Sequence, residues 1–139
     1  MYPNKGIQAY KRESLRSDLA SADPYRIIQL LMQGALERLA QGKGCIERRD
    51  FEGKSDALTK ACAIINALRD ALDESVNPEL CANLEDLYVY MVGRVTEASR
   101  QLDTGMLDEV SDLLLTIKSA WDQISDADKQ HAEQMRSES

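Results

Sequence analysis

The chain has 139 residues, of which 43% are hydrophobic and only 5% aromatic, and its formal net charge is −7. This length suffices for one domain with its own hydrophobic core, and the aliphatic composition favours helices over sheets. The acidic balance argues against a sequence-independent nucleic-acid binder. No apolar run approaches the roughly 20 residues of a transmembrane helix, and the first residues lack the apolar centre of a secretion signal. We therefore expect a cytoplasmic protein with no membrane insertion.

The chain opens with residues 1–22, whose sparse apolar positions cannot hold a helix alone in water. We expect this segment to be a loosely attached N-terminal arm. Asp23 and Pro24 then supply an N-cap and a first helical residue, so the first helix is predicted from there to about Arg48.

Three further helices are predicted at short intervals. Asp50 is the expected N-cap of the second helix, and the pair Asn77-Pro78 opens the third. Thr104 is the expected N-cap of the fourth helix. Apolar residues recur there every three or four positions, at Leu107, Val110, Leu114, Ile117, Trp121 and Ile124.

Long helices joined by short connections pack as antiparallel neighbours. The sequence therefore predicts an all-α protein, an antiparallel up-down-up-down four-helix bundle over residues 23–125. Residues 126–139 are polar, and we expect them to form a disordered C-terminal tail.

The apolar residues are more numerous than a narrow bundle seam requires. On the third helix Leu84, Leu87 and Met91 mark the expected core stripe, so that Tyr88 borders it. Similar positions beside the main stripes are Ile28, Met32, Ile64, Val92 and Met106. They indicate either the wide buried face of a globular bundle or an exposed groove that accepts another helix.

Little in the sequence points to catalysis, a cofactor or a metal. His131 is the single histidine and lies in the polar tail, and no glycine-rich phosphate loop or nucleophile elbow occurs. The three cysteines form no CxxC pair, which favours free thiols over a zinc site. We expect a binding protein that is not an enzyme and that holds no cofactor.

Several blocks of sequence carry a further pattern. The first helix opens with DPYRIIQLL (residues 23–31) and GAL (34–36), and the third contains NLEDLYVYM (83–91) followed by RVTEA (94–98). The fourth helix contains LDEVSDLLLTIKSAW (107–121). Together these blocks resemble the flagellar secretion chaperone FliS family over about residues 7–124. The chain departs from the family pattern at Met32, Ser99 and the turn at residues 76–78.

The resemblance implies a cytosolic chaperone that binds the C-terminal segment of flagellin, prevents its premature polymerisation and escorts it to the flagellar type III export apparatus. Components of the export gate would be further partners, and we expect a monomer that binds flagellin 1:1. In this family the N-terminal arm can lie over the binding surface. The residues expected to bind the partner are Ile7, Tyr10, Leu15, Ile28, Met32, Ile64, Tyr88, Val92 and Val95. The alternative hypothesis is a structural or regulatory bundle that homodimerises through its apolar face.

Overall fold

A computed structural model describes residues 23–138 and shows four helices joined by short turns. The helices are α1 (Pro24–Glu47), α2 (Phe51–Asp70), α3 (Pro78–Gln101) and α4 (Thr104–Glu138). Side chains of α4 are described as far as Ile124 and again at Gln134. No strand occurs in this part of the chain, in agreement with the predicted all-α class.

Polar side chains begin the helices close to where the sequence places them. Asp23 accepts a hydrogen bond from the backbone N–H three residues further on at 2.8 Å, and Asp50 and Asn77 do the same at 3.0 and 3.1 Å. The prediction of Thr104 as the fourth N-cap is wrong by one residue, because the carboxylate of Asp103 accepts the corresponding hydrogen bond at 3.2 Å. A carboxylate also interacts favourably with the positive end of the helix dipole, which a hydroxyl does less well.

The helices form a ring in which each packs against two others, in the order α1, α2, α3, α4 and back to α1. The contacts at the two ends of α1 show that it runs antiparallel to α4. Near its start, the Trp121 indole N–H donates to the carbonyl oxygen of Tyr25 at 3.0 Å. Near its end, Lys43 pairs with Asp108 at 2.9 Å. The predicted antiparallel up-down-up-down four-helix bundle is thus confirmed.

Helix α4 is longer than the others, with 35 residues against 24 or fewer. Trp121 lies beside Tyr25 at the start of α1, and the helical backbone of α4 continues from there to Glu138. Ile124, the last position of the predicted stripe, is 50% exposed. The segment predicted as a polar tail is therefore an extension of α4. The arm predicted at residues 1–22 lies outside the described residues.

The core follows the centres of the four apolar stripes along the bundle axis. Its largest fully buried side chains are Met32, Leu39, Ile65, Leu68, Met91, Leu107, Leu114, Val95 and Val110. On α3 the expected register needs a correction, since Tyr88 lies in the core while Leu84 and Leu87 are only partly buried at its edge. The stripe of α3 is therefore centred on Tyr88, Met91 and Val95, because this helix contacts both α2 and α4.

Gly42 permits a close approach of α1 to α2. A Cβ atom at this position would overlap the side chain of Leu58, which is itself buried. The contact between α1 and α2 is the most extensive of the four helix pairs. The absence of a side chain at Gly42 is thus part of the packing of the core.

Leu114 tests the register of α4. It is completely buried, so Leu114→Ala should lower the free energy of unfolding by about 2–5 kcal/mol through lost burial and a residual cavity. The next residue, Leu115, is 49% exposed and provides a matched control, for which we expect a loss within about 0.5 kcal/mol. Urea denaturation of both variants measures the difference. Equal losses would show that α4 presents another face to the core.

Two glycines in helix interiors should respond in opposite ways to alanine. Gly42→Ala should destabilise the protein by about 1–3 kcal/mol, because the new methyl group must displace Leu58. Gly93 lies in α3, where an added Cβ would meet nothing within 4 Å. Gly93→Ala should therefore stabilise by about 0.5–1 kcal/mol, since alanine is the better helix former. Thermal melts compare the two variants, and a shift of the same sign in both would contradict this account of Gly42.

Candidate partner-binding groove

A groove of about 720 Å³ runs along the surface between α2 and α3. From α2 it is lined by Phe51, Lys54, Ser55, Leu58, Thr59 and Cys62. From α3 and its C-cap it is lined by Val95, Thr96, Ser99, Arg100 and Leu102. Two packed helices form its walls, so its shape is set by the bundle and does not depend on a loop.

The floor of the groove is apolar and its sides carry hydroxyl groups. Leu58 and Val95 form the floor and belong to the core, with exposures of 3% and 0%. Cys62 lies half-buried between the two helices. The hydroxyl residues along the sides are Ser55, Thr59, Thr96 and Ser99. The groove therefore offers apolar contact at its base and neutral hydrogen-bonding groups at its edges.

One end of the groove carries two large, exposed apolar side chains. Phe51 is the first residue of α2 and is 45% exposed, and Leu102 is the C-cap of α3 and is 40% exposed. They lie at the same end because α2 begins where its antiparallel neighbour α3 ends. Exposed apolar groups that border a concave surface are typical of interaction sites.

The two charged residues that line the groove are engaged by the chain itself. The Lys54 ammonium donates to the carbonyl oxygen of Ser99 at 3.0 Å and thus satisfies an acceptor in the last turn of α3. Arg100 pairs with Glu97 on the same helix. At the other end of the two helices, Arg69 pairs with Glu85 at 2.9 Å. The contacts of Lys54 and Arg69 join α2 to α3, whereas that of Arg100 lies within α3, and the groove-lining charges are thus already paired.

The thiol of Cys62 is a neutral part of the groove. Burial raises the pKa of this thiol, and a hydrogen bond with Thr96 partly opposes the effect. The protonated form therefore dominates near neutral pH. Cys45 and Cys81 are also free thiols but are buried.

The residues that the sequence predicts as partner-binding lie mostly elsewhere. Met32, Tyr88 and Val95 are core residues with exposures of 2% or less. Ile28, Ile64 and Val92 are partly buried against the core. Among these six, Val95 alone lines the groove, as part of its floor. The remaining predicted residues, Ile7, Tyr10 and Leu15, lie outside the described part of the chain.

The burial of the apolar residues beside the main stripes is uneven. Met32 and Tyr88 lie at the centre of the core, and Met106 packs against it together with Ile28, Ile64 and Val92. Two of the six residues are thus core residues, and the other four are partly buried at the edge of the core. The apolar groove is built from other residues, between α2 and α3.

Sequence reasoning missed Phe51 and Leu102 for different reasons. Phe51 directly follows the N-cap Asp50. An aromatic residue in the first turn of a helix could have indicated an exposed apolar group at this position. Leu102 continues the three-to-four-residue spacing of α3 and so resembles a core position. Its left-handed backbone conformation ends the helix there and directs the side chain to the groove.

The described residues offer neither a metal site nor a membrane-spanning helix. No group of three or more His, Cys, Asp and Glu side chains is arranged there to hold a metal ion. Within the same residues, no helix combines the length and the apolar character needed to cross a bilayer.

Comparisons with known proteins agree with the family resemblance of the sequence blocks described above. Residues 6–128 match the family model described as flagellar protein FliS. The chain is 49% identical over 125 residues to the flagellar secretion chaperone FliSB of Pseudomonas aeruginosa, an alignment that covers 90% of this chain and 99% of the relative. It is 43% identical over 118 residues to the flagellar secretion chaperone FliS of Vibrio cholerae, covering 85% and 87%. For FliS of Salmonella typhimurium the values are 39% over 126 residues, covering 90% and 93%.

The described residues thus form an antiparallel four-helix bundle with an apolar surface groove. The chain belongs to the FliS family of flagellar secretion chaperones.

Tyr88 gives the bundle a predictable sensitivity to alkaline pH. Burial raises the pKa of its hydroxyl to about 12, whereas a tyrosine in the unfolded chain ionises near 10. The associated stability is therefore fully present below about pH 10 and is lost as pH rises toward about 12. Tyr88→Phe should remove this contribution, so its free energy of unfolding should fall less steeply over that range. Denaturant melts across the range test this, and parallel curves for the two proteins would contradict it.

Proposed function

We propose that this protein is a cytoplasmic export chaperone that binds the C-terminal segment of flagellin and keeps it from polymerising prematurely. The bound flagellin is then escorted to the flagellar type III export apparatus, whose gate components are further partners. The single observation that carries the proposal is the apolar groove between α2 and α3 in a chain of the flagellar secretion chaperone family.

The physical argument rests on what an unassembled filament subunit exposes. A segment that packs against other subunits after assembly presents apolar side chains to water before it, and such a segment is prone to aggregate. A helical surface groove can receive the apolar face of an amphipathic helix, and the segment can fold as it binds. The required action is coverage of the segment, so the proposed role involves no catalysis.

The chemistry of the groove favours apolar burial as the driving force. Leu58 and Val95 supply the floor, while Phe51 and Leu102 supply exposed apolar surface at one end. Lys54 and Arg100 are already engaged by Ser99 and Glu97. Binding should therefore show a negative heat-capacity change, which accompanies the removal of apolar surface from water.

Cys62 provides a direct test of where flagellin binds. In a protein with Cys45→Ala and Cys81→Ala, Cys62 is the remaining thiol, and its alkylation rate reports access to the groove. We expect saturating flagellin C-terminal peptide to slow this alkylation about tenfold or more, since burial in an interface excludes the reagent. A matched control carries Cys62→Ala and Ser119→Cys, which places one thiol on the exposed face of α4. Its rate should be unchanged, and equal rates for Cys62 with and without peptide would contradict binding in the groove.

Light scattering after size-exclusion chromatography tests the proposed stoichiometry in the same samples. A monomer that forms a 1:1 complex with the flagellin peptide supports the chaperone. A dimer whose mass does not respond to the peptide would instead support the alternative of a self-associating structural bundle.

A further inference from the structure

Two non-glycine residues have a positive φ angle within residues 23–138, Arg49 at 61° and Leu102 at 56°. Both stand directly after a helix, Arg49 beyond the C-cap of α1 and Leu102 as the C-cap of α3. In this left-handed region the Cβ atom crowds the backbone, and glycine or asparagine is favoured where a helix ends in this way. Each residue therefore carries backbone strain that a glycine would relieve.

The two side chains differ in what they contact. Arg49 is exposed and charged, which suits a residue in water. Leu102 is apolar, 40% exposed, and lines the groove at the same end as Phe51. A glycine would end α3 with less strain but would remove this apolar wall. Termination of the helix alone thus does not account for leucine at this position.

We propose that Leu102 determines the specificity of the groove by forming, with Phe51, an apolar clamp for one large aliphatic or aromatic side chain of the bound segment. This inference rests on the proposed function, because the segment is the C-terminal part of flagellin. The charges near the clamp are engaged by Ser99 and Glu97, so selection at this end is by apolar contact.

The clamp also follows from the placement of its two members on rigid elements. Phe51 is fixed at the first turn of α2, directly after the N-cap hydrogen bond between Asp50 and Gly53. Leu102 is fixed by the αL backbone that closes α3, and its N–H bonds to the carbonyl oxygen of Ala98. A side chain inserted between them would be held by surfaces that need no rearrangement, which lowers the entropic cost of binding.

The test compares glycine substitutions at the two strained positions. Affinity for a flagellin C-terminal peptide is measured by titration calorimetry for wild type, Leu102→Gly and Arg49→Gly. We expect Leu102→Gly to weaken binding about tenfold or more, through loss of a buried leucine side chain from the interface. Arg49→Gly relieves the same kind of backbone strain outside the groove and should retain wild-type affinity. Leu102→Met keeps an apolar side chain and should stay within about threefold of wild type.

The outcomes separate this inference from the function on which it rests. Absence of wild-type binding would overturn the proposed function itself. Wild-type binding with undiminished affinity in Leu102→Gly would overturn the clamp alone, and so would an equal loss in Arg49→Gly. Urea melts accompany each variant. If Leu102→Gly proves less stable than wild type, the affinity of Phe51→Ala for the peptide is measured instead. Unchanged affinity in Phe51→Ala would likewise overturn the clamp.

Discussion

Burial of one continuous apolar seam along the bundle axis is the constraint on which the rest of the structure depends. Each helix contributes a stripe to it, and residues such as Met32, Met91 and Leu114 lose all or nearly all contact with water there. Burial of a large aliphatic side chain contributes about 1.5–3 kcal/mol, whereas exposed ion pairs such as that of Lys43 with Asp108 contribute little, because water and salt screen them. The polar contacts between helices therefore set register and direction, and the seam supplies most of the stability.

Leu58 links this seam to the groove. On one side it fills the space that Gly42 leaves open on α1, and on the other it forms part of the groove floor. The helix pair α1 and α2 is packed more extensively than the pair α2 and α3. Helix α2 therefore packs tightly against α1 on one face and less tightly against α3 on another. Leu58 takes part in both contacts. The candidate site is therefore the part of the core edge between α2 and α3 that side chains leave open.

The fold could be predicted from the sequence because it depends on signals that are local and periodic. Asp23, Asp50 and Asn77 cap the helices where the sequence places them, and the stripe of α4 from Leu107 to Leu114 faces the core as its spacing requires. The one misplaced cap came from two adjacent residues, Asp103 and Thr104, that are both good N-caps, so the sequence does not distinguish between them.

The candidate site could be predicted much less well. Periodicity identifies an apolar face but does not show which part of it a neighbouring helix covers. Met32 and Tyr88 were expected at its margin, but their exposures are only 1% and 2%. Leu102 was indistinguishable from a core residue by spacing, and its exposure follows from a single left-handed backbone conformation. Contacts between elements distant in sequence decided the cases of Met32 and Tyr88, and a local backbone conformation decided that of Leu102.

The hydroxyl groups along the groove bear on how a bound segment leaves it. Serine and threonine both donate and accept hydrogen bonds, so Ser55, Thr59 and Ser99 impose no fixed order of donors and acceptors on the edges, whereas the Thr96 hydroxyl donates to the carbonyl oxygen of Val92 at 2.8 Å. Water can replace a partner at each of these groups at little cost, which would not hold for a buried ion pair. A carrier of the proposed kind must surrender its cargo intact at its destination. A groove edged with neutral, readily rehydrated groups is suited to that release, because dissociation strands no charge on either molecule.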